Sequence, residues 1–251
     1  GTLTPIAICG ALFLRSTDKR LRIALAAAAA LLVITVVITQ SRGGIIALFC
    51  FLALTIARSR RRGQAIAAVA ILGALVALTA PDEAWERLGG LGKIRGREGV
   101  AAADPEGSAA TRYQILLNAI DIADDHLLFG TGIGTYKAVN RQYRPDLGWI
   151  DTHNTYLNVQ VETGLVGLAL FLGMIVSAFR FAKQRSAPPA SPATTQAIRL
   201  VGAGLLGFLI ASIFGTFPYF QFLHFHLLTF TLMARIWPAE DAVTPRPMAS
   251  L

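Results

Sequence analysis

Residues 23–57 form one apolar run, broken only by Gln40-Ser41-Arg42-Gly43-Gly44 near its middle. As a single helix the run measures about 52 Å at about 1.5 Å per residue, against a hydrocarbon core of about 30 Å. It therefore has to turn back on itself. The Gly pair beside Arg42 is the natural place, because glycine accepts the backbone angles that a tight turn needs. The prediction is a hairpin of two short helices with Arg42 at its tip. Composition supports a lipid solvent: 54% of the 251 residues are hydrophobic and only 15% are charged. A soluble domain carries about 25% charged residues, so the pattern fits a membrane protein better than a soluble one with a large core.

The rest of the chain repeats the pattern. Residues 4–14 are too short a run to span and are followed by the polar stretch 15–22. Residues 65–80, stopped by Pro81, predict another span. Residues 156–179, 198–216 and 219–237 predict three more, the last two meeting around Pro218. A Pro/Ser/Ala-rich stretch, 186–195, reads as a flexible link, and the tail after Pro238 as a disordered terminus. The expected fold class is an all-α, polytopic transmembrane bundle with one long loop. Its segments are 1–80 (membrane helices with the Arg42 hairpin), 81–154 (the loop), 155–237 (membrane helices) and 238–251 (a cytoplasmic tail). The chain starts at Gly1, close to an apolar run and with no secretory signal pattern. It reads as the C-terminal part of a longer protein with further spans upstream.

Orientation follows from the bias of Lys and Arg toward cytoplasmic loops. The basic clusters at 15–22, 58–62 and 180–185, with Arg199, Arg235 and Arg246, fall on one side if every span crosses once. They hold 14 of the 23 Lys and Arg residues, whereas the long loop has 8 Lys and Arg against 11 Asp and Glu. The net charge of +8 thus sets topology and meets anionic lipid; it does not describe a nucleic-acid binder. Arg42 falls on the external side with the long loop. Cys9 and Cys50 sit in apolar runs and read as packing residues.

The loop divides in two. Residues 86–106 are rich in Gly and charge and show no period. From Ser108 onward Ile115, Leu116, Ala119, Ile120, Ala123 and Leu127 recur at three and four residues, which predicts an amphipathic helix lying on the membrane surface or on the span ends. Ser108 is its predicted start and Gly130 its stop. Arg112 falls in the first turn, where a cation opposes the helix dipole, so helix stability does not explain it. Phe129-Gly130-Thr131-Gly132-Ile133-Gly134 follows a helix where a phosphate loop would follow a strand. A structural turn and a direct substrate contact both remain open. Asp151-Thr152-His153-Asn154-Thr155-Tyr156-Leu157 lies where the chain re-enters the membrane. Its histidine is a candidate for chemistry as well as for structure. Glu162 lies about two turns further in, and ionisable groups in such places face a cavity or a partner.

The sequence offers no His-Glu-x-x-His, no Cys-x-x-Cys and no Gly-x-Ser-x-Gly elbow. Asp124-Asp125 are adjacent, and His224 and His226 are two apart, so neither pair shares a helix face well enough to hold a metal. What remains external is Arg42, Arg112 and His153. Two arginines can clamp a pyrophosphate and offset charge developing on it. A histidine can take a proton from an attacking hydroxyl. That set suits transfer of a group from a lipid-linked pyrophosphate. Simple anchoring of each arginine to lipid phosphates is the competing reading.

Thr39-Gln40-Ser41-Arg42-Gly43-Gly44 is similar to the Ser-Arg-Gly motif of the O-antigen ligase and polymerase superfamily. Arg112-Tyr113-Gln114, then Leu128-Phe129-Gly130-Thr131-Gly132-Ile133-Gly134 and Tyr136, resembles its loop pattern. His153-Asn154-Thr155-Tyr156-Leu157, then Glu162-Thr163-Gly164 and Gly167, resembles its His-Asn-x-x-Leu and Glu-x-Gly-x-x-Gly segment. The likeness covers residues 23–182. It departs where Asp125-His126 precedes Leu127, since the family often has a Pro there. The resemblance implies a multi-pass, metal-independent glycosyltransferase of a bacterial inner membrane, with the long loop in the periplasm and no cofactor. Its partners would be an undecaprenyl-pyrophosphate-linked glycan donor, a lipid A-core or glycan acceptor, and membrane lipids. Carried over, the donor-binding role falls on Arg42 and Arg112 and the acceptor role on His153. A ligase, a polymerase and a protein O-oligosaccharyltransferase of this superfamily differ in acceptor, which the sequence does not identify. A bicarbonate-type transporter and a non-catalytic assembly protein are the rivals from other classes.

Overall fold

The computed structural model describes residues 2–39, 42–58, 63, 66, 67, 70, 108–185, 190–217 and 221–243. The expected span 65–80 and the first half of the long loop fall almost wholly outside the described residues. Among the described residues the fold is all-α: eight α-helices and one 3-10 turn. We number the α-helices α1 (Leu3–Arg15), α2 (Lys19–Ile38), α3 (Arg42–Arg58), α4 (Ser108–Asp125), α5 (Tyr136–Tyr143), α6 (Thr155–Arg185), α7 (Pro192–Ala211) and α8 (Gln221–Val243). Three of them, α2, α6 and α7, are long and apolar enough to cross a membrane, while α1 and residues 43–57 are shorter apolar helices. Although α8 has the length, His224, His226 and Arg235 dilute its hydropathy and it is not one of the three.

The long apolar run breaks beside Arg42 as expected, but Gly43 and Gly44 do not make the turn: both lie in the first turn of α3 and neither has a positive φ. Helix α2 stops at Ile38 and α3 opens at Arg42. Several boundaries differ from expectation: α4 ends at Asp125 and not at Gly130, α7 ends at Ala211 and not at 216, and two further differences have a visible cause. Residues 192–195 are the first turn of α7 and no part of a linker. Ser191 starts that helix, its hydroxyl accepting the Thr194 amide (3.2 Å) and its carbonyl the Thr195 amide (2.9 Å). Pro192 at the first helical position suits a fixed φ and a missing N–H, so a helix-start signal reads as a flexible stretch when only composition is weighed. Helix α8 also runs through Pro238 to Val243. Its last turn is held from outside: the Asp241 carboxylate accepts the Ser191 amide (2.8 Å) and pairs with Arg15 (3.6 Å).

The described residues fall into two compact units. One comprises α1–α3, the C-terminal part of α6 from Met174, α7 to Ile210, and α8. Small residues let its helices close: a methyl group on Gly204 would meet the Ala7 Cβ at 2.6 Å, and one on Gly207 the Ala47 carbonyl at 3.0 Å. Buried His226 bridges Thr4 (2.6 Å) and the Val201 carbonyl (3.2 Å), which accounts for it as packing. His224 is exposed, and no group of residues able to hold a metal occurs among the described residues.

The other unit comprises residues 108–173 and 211–217. Its core is Ile115, Ala119, Ile122, Ala123, Tyr136 and Val161. The amphipathic helix therefore exists, but its buried face is turned from the expected one. Asn118 and Ile122 are buried, while Leu116, Ile120 and Leu127 are exposed.

Candidate functional site

The second unit is organised around a break in α6. Gly164 has φ 66° and ψ −170°, far from helical values, and divides the helix into 155–163 and 165–185. Such a break frees carbonyls before it and amides after it, and buried backbone groups have to find partners. The segment after α4 supplies them. Thr131 and Gly132 amides donate to the Val161 and Glu162 carbonyls (2.8 and 2.9 Å). The Leu165 and Val166 amides donate to the Leu127 and Leu128 carbonyls (2.8 and 3.3 Å). The two backbones lie so close that only glycine fits at two points. A side chain on Gly130 (φ 70°) would strike the backbone of Glu162 and Thr163, and one on Gly164 that of Leu128 and Phe129. Gly130 is thus explained as a structural turn. The Glu162 side chain adds a fifth tie: buried, it accepts the Tyr136 amide at 3.1 Å, the first N–H of α5.

From this clasp the chain runs through α5 to the turn that carries His153. Buried Asn140 accepts hydrogen bonds from Asn118 of α4 (2.8 Å) and the Tyr136 hydroxyl (3.2 Å), and donates to the Gly148 carbonyl (3.2 Å). Lys137 pairs with Asp151 at 3.0 Å. Thr152 and Asn154 close the turn: the Thr152 hydroxyl donates to the Asn154 carbonyl (2.9 Å) and lies 3.0 Å from the Thr216 hydroxyl. The Asn154 side chain caps α6, accepting the Tyr156 and Leu157 amides (3.0 and 3.1 Å). Fully buried Thr155 donates from its amide to the Ser212 carbonyl (2.8 Å) and from its hydroxyl to the Gly215 carbonyl (2.7 Å).

With its neighbours on both sides committed to the fold, His153 is held at φ 53°, the one non-glycine residue at positive φ among those described. Residues kept in that region cluster at functional sites, where the surroundings over-determine them. Its imidazole is half-buried and makes no hydrogen bond among the described residues. Burial pushes its pKa below the ordinary value, the positive charge of Arg112 pushes it further down, and Asp151 opposes them. The neutral, proton-accepting form is therefore the resting one near pH 7. Burial, and then the charge of Asp151, raise the Tyr136 phenol well above its usual range, so it stays protonated and able to donate to Asn140.

The sequence-predicted residues are thus placed as follows. Arg112, exposed on α4, and His153 are near enough to interact electrostatically. Arg42 is the first residue of α3 in the other unit, and its side chain lies outside the described residues. Asp125 is exposed at the end of α4 and accepts the Tyr143 hydroxyl (2.8 Å). The supporting residues Asn118, Asn140, Thr152 and Thr155 escape a reading based on apolar periodicity. One signal for Asn118 exists, since it falls between Ile115 and Ile122 on their own helix face.

Two comparisons with known proteins bear on this arrangement. A family model described as O-antigen ligase matches residues 27–172, which includes Arg42, Arg112, the clasp and His153. Among curated proteins no match is found.

Proposed function

Because the chain belongs to the O-antigen ligase family, we propose that it is a membrane glycosyltransferase moving a glycan from undecaprenyl-pyrophosphate onto an acceptor on the periplasmic face. The observation that carries the reading is the neutral His153, held on a strained turn within reach of the Arg112 charge. In the proposed step His153 takes the proton of an acceptor hydroxyl as its oxygen bonds to the anomeric carbon of the donor. The bond from that carbon to the pyrophosphate oxygen breaks, and its electron pair leaves with the lipid pyrophosphate. Arg112 and Arg42 hold the leaving group by charge-assisted hydrogen bonds and offset its growing charge. The proton on His153 then passes to solvent.

Within the family the acceptor separates a ligase, which uses lipid A-core, from a polymerase, which uses another glycan. The ligase is the reading adopted, in line with the description of the matching family model. A deletion strain tests it. A ligase leaves long, unligated polymer on the lipid carrier, whereas single repeat units in its place would reassign the protein as a polymerase.

A further inference from the structure

Helix α4 has two apolar faces. One, with Ile115, Ala119 and Ile122, forms the core of its unit. The other consists of Tyr113, Leu116, Leu117 and Ile120, spaced three and four apart, and all four are exposed. The exposed Gln114, Asp121 and Asp125 share a narrow arc beside it, and exposed Asp124 interrupts the stripe only in the last turn of the helix. The exposed stripe continues past the helix end into Leu128 and Phe129, the latter 76% exposed. An uncovered apolar surface of this kind marks a membrane or partner contact.

Three observations identify what covers it. The 127–129 turn is bonded through its carbonyls to Leu165 and Val166 (2.8 and 3.3 Å), so it lies at the level where the uninterrupted part of the spanning helix begins. Leu165 and Val166 are themselves exposed and belong to a candidate membrane span, so the two apolar surfaces adjoin. Length points the same way. Residues 165–179, before the basic stretch that starts at Arg180, rise about 22 Å, short of a hydrocarbon layer of about 30 Å. The hydrocarbon must therefore extend beyond Gly164, to the level of the 127–129 turn.

We propose that the exposed stripe of α4 and the 127–129 turn are seated in the apolar part of the bilayer, with Asp121 and Asp125 facing water. The loop helix is then an interfacial membrane anchor as well as a carrier of Arg112. Such a helix buries its apolar face by several ångströms at the headgroup boundary.

Site-directed spin labels test this on the full chain reconstituted in phosphatidylcholine–phosphatidylglycerol vesicles. Cys9→Ala and Cys50→Ala remove the native thiols, and Leu117→Cys, Phe129→Cys and Asp121→Cys supply single sites. All three positions are exposed, so a label displaces no core packing. Because the measurement needs no turnover, its outcome is independent of the proposed transfer chemistry. At 117 and 129 collision with oxygen, which concentrates in lipid, is expected to exceed collision with an aqueous nickel chelate several-fold, and at 121 the order reverses. Nickel contact at 117 and 129 equal to that at 121 would place the stripe in water and overturn the proposal. Exclusion of both reagents there would overturn it too, by showing that protein, from a second copy or another segment, covers the stripe.

Discussion

The Glu162 carboxylate accepts the Tyr136 amide at 3.1 Å and so ties the first turn of α5 to the broken helix α6. The same residue receives the Gly132 amide on its backbone carbonyl (2.9 Å). Side chain and main chain of one residue thereby fix both ends of the 132–136 segment, and that segment leads into the scaffold that carries His153.

Replacing this carboxylate is expected to show whether its charge or its oxygen matters. Glu162→Ala strands a buried donor, which costs about 1–3 kcal/mol. Glu162→Gln keeps an acceptor and should lie close to wild type. Thermal unfolding of purified protein in detergent checks the order; equal losses in both variants would mean that the charge, and not the hydrogen bond, holds the clasp.

Gly130 and Gly164 should tolerate no side chain. Both have positive φ and both meet opposing backbone. Positive φ alone costs a residue with a Cβ about 1–3 kcal/mol, and the collision with rigid main chain adds to it. Gly130→Ala and Gly164→Ala are expected to fail to accumulate as folded protein. Gly173→Ala is the control, because nothing lies within 4 Å of its added methyl group; about 0.5–1 kcal/mol of helix stabilisation is expected there. Folded yield by size-exclusion profile reads all three.

His153 should report on the charge of Arg112. Arg112→Gln removes a positive charge that lowers the histidine pKa, so the pKa should rise, with burial still lowering it and Asp151 still raising it. The pH midpoint for acylation of His153 by diethylpyrocarbonate, followed by peptide mass spectrometry, should move upward. A bound pyrophosphate offsets the same charge, so the acid limb of kcat should fall at higher pH than that of kcat/KM. An unchanged midpoint in Arg112→Gln would separate the two residues electrostatically.

Much of the fold is legible in the sequence, because membrane spans and a broken apolar run are written in composition and length. The break in the apolar run beside Arg42, the helix from Ser108 and the glycine turn at Gly130 follow from length, period and local rules, although the glycines after Arg42 turn out to be helical. The clasp does not. Gly164 sits inside a span-like stretch, and its conformation depends on hydrogen bonds from Thr131 and to Leu127 that join residues thirty or more apart in sequence. Asn118 and Asn140 are equally hidden, since a polar side chain on a buried face is stable only once its partner is known. The misread start of α7 has a different cause: Ser191-Pro192 is both a common linker composition and a good helix N-terminus.

The central claim is that Arg42, Arg112 and His153 carry transfer from a lipid-linked pyrophosphate. Its most direct test is the glycan made by a deletion strain that expresses full-length Arg42→Ala, Arg112→Ala or His153→Ala, with membrane insertion checked by fractionation. Loss of one preorganised electrostatic contact costs about 10²–10³ in rate. Unligated glycan on the carrier and almost no transferred product are expected in all three strains, at normal membrane levels of protein. Wild-type amounts of transferred glycan in the three strains would contradict it.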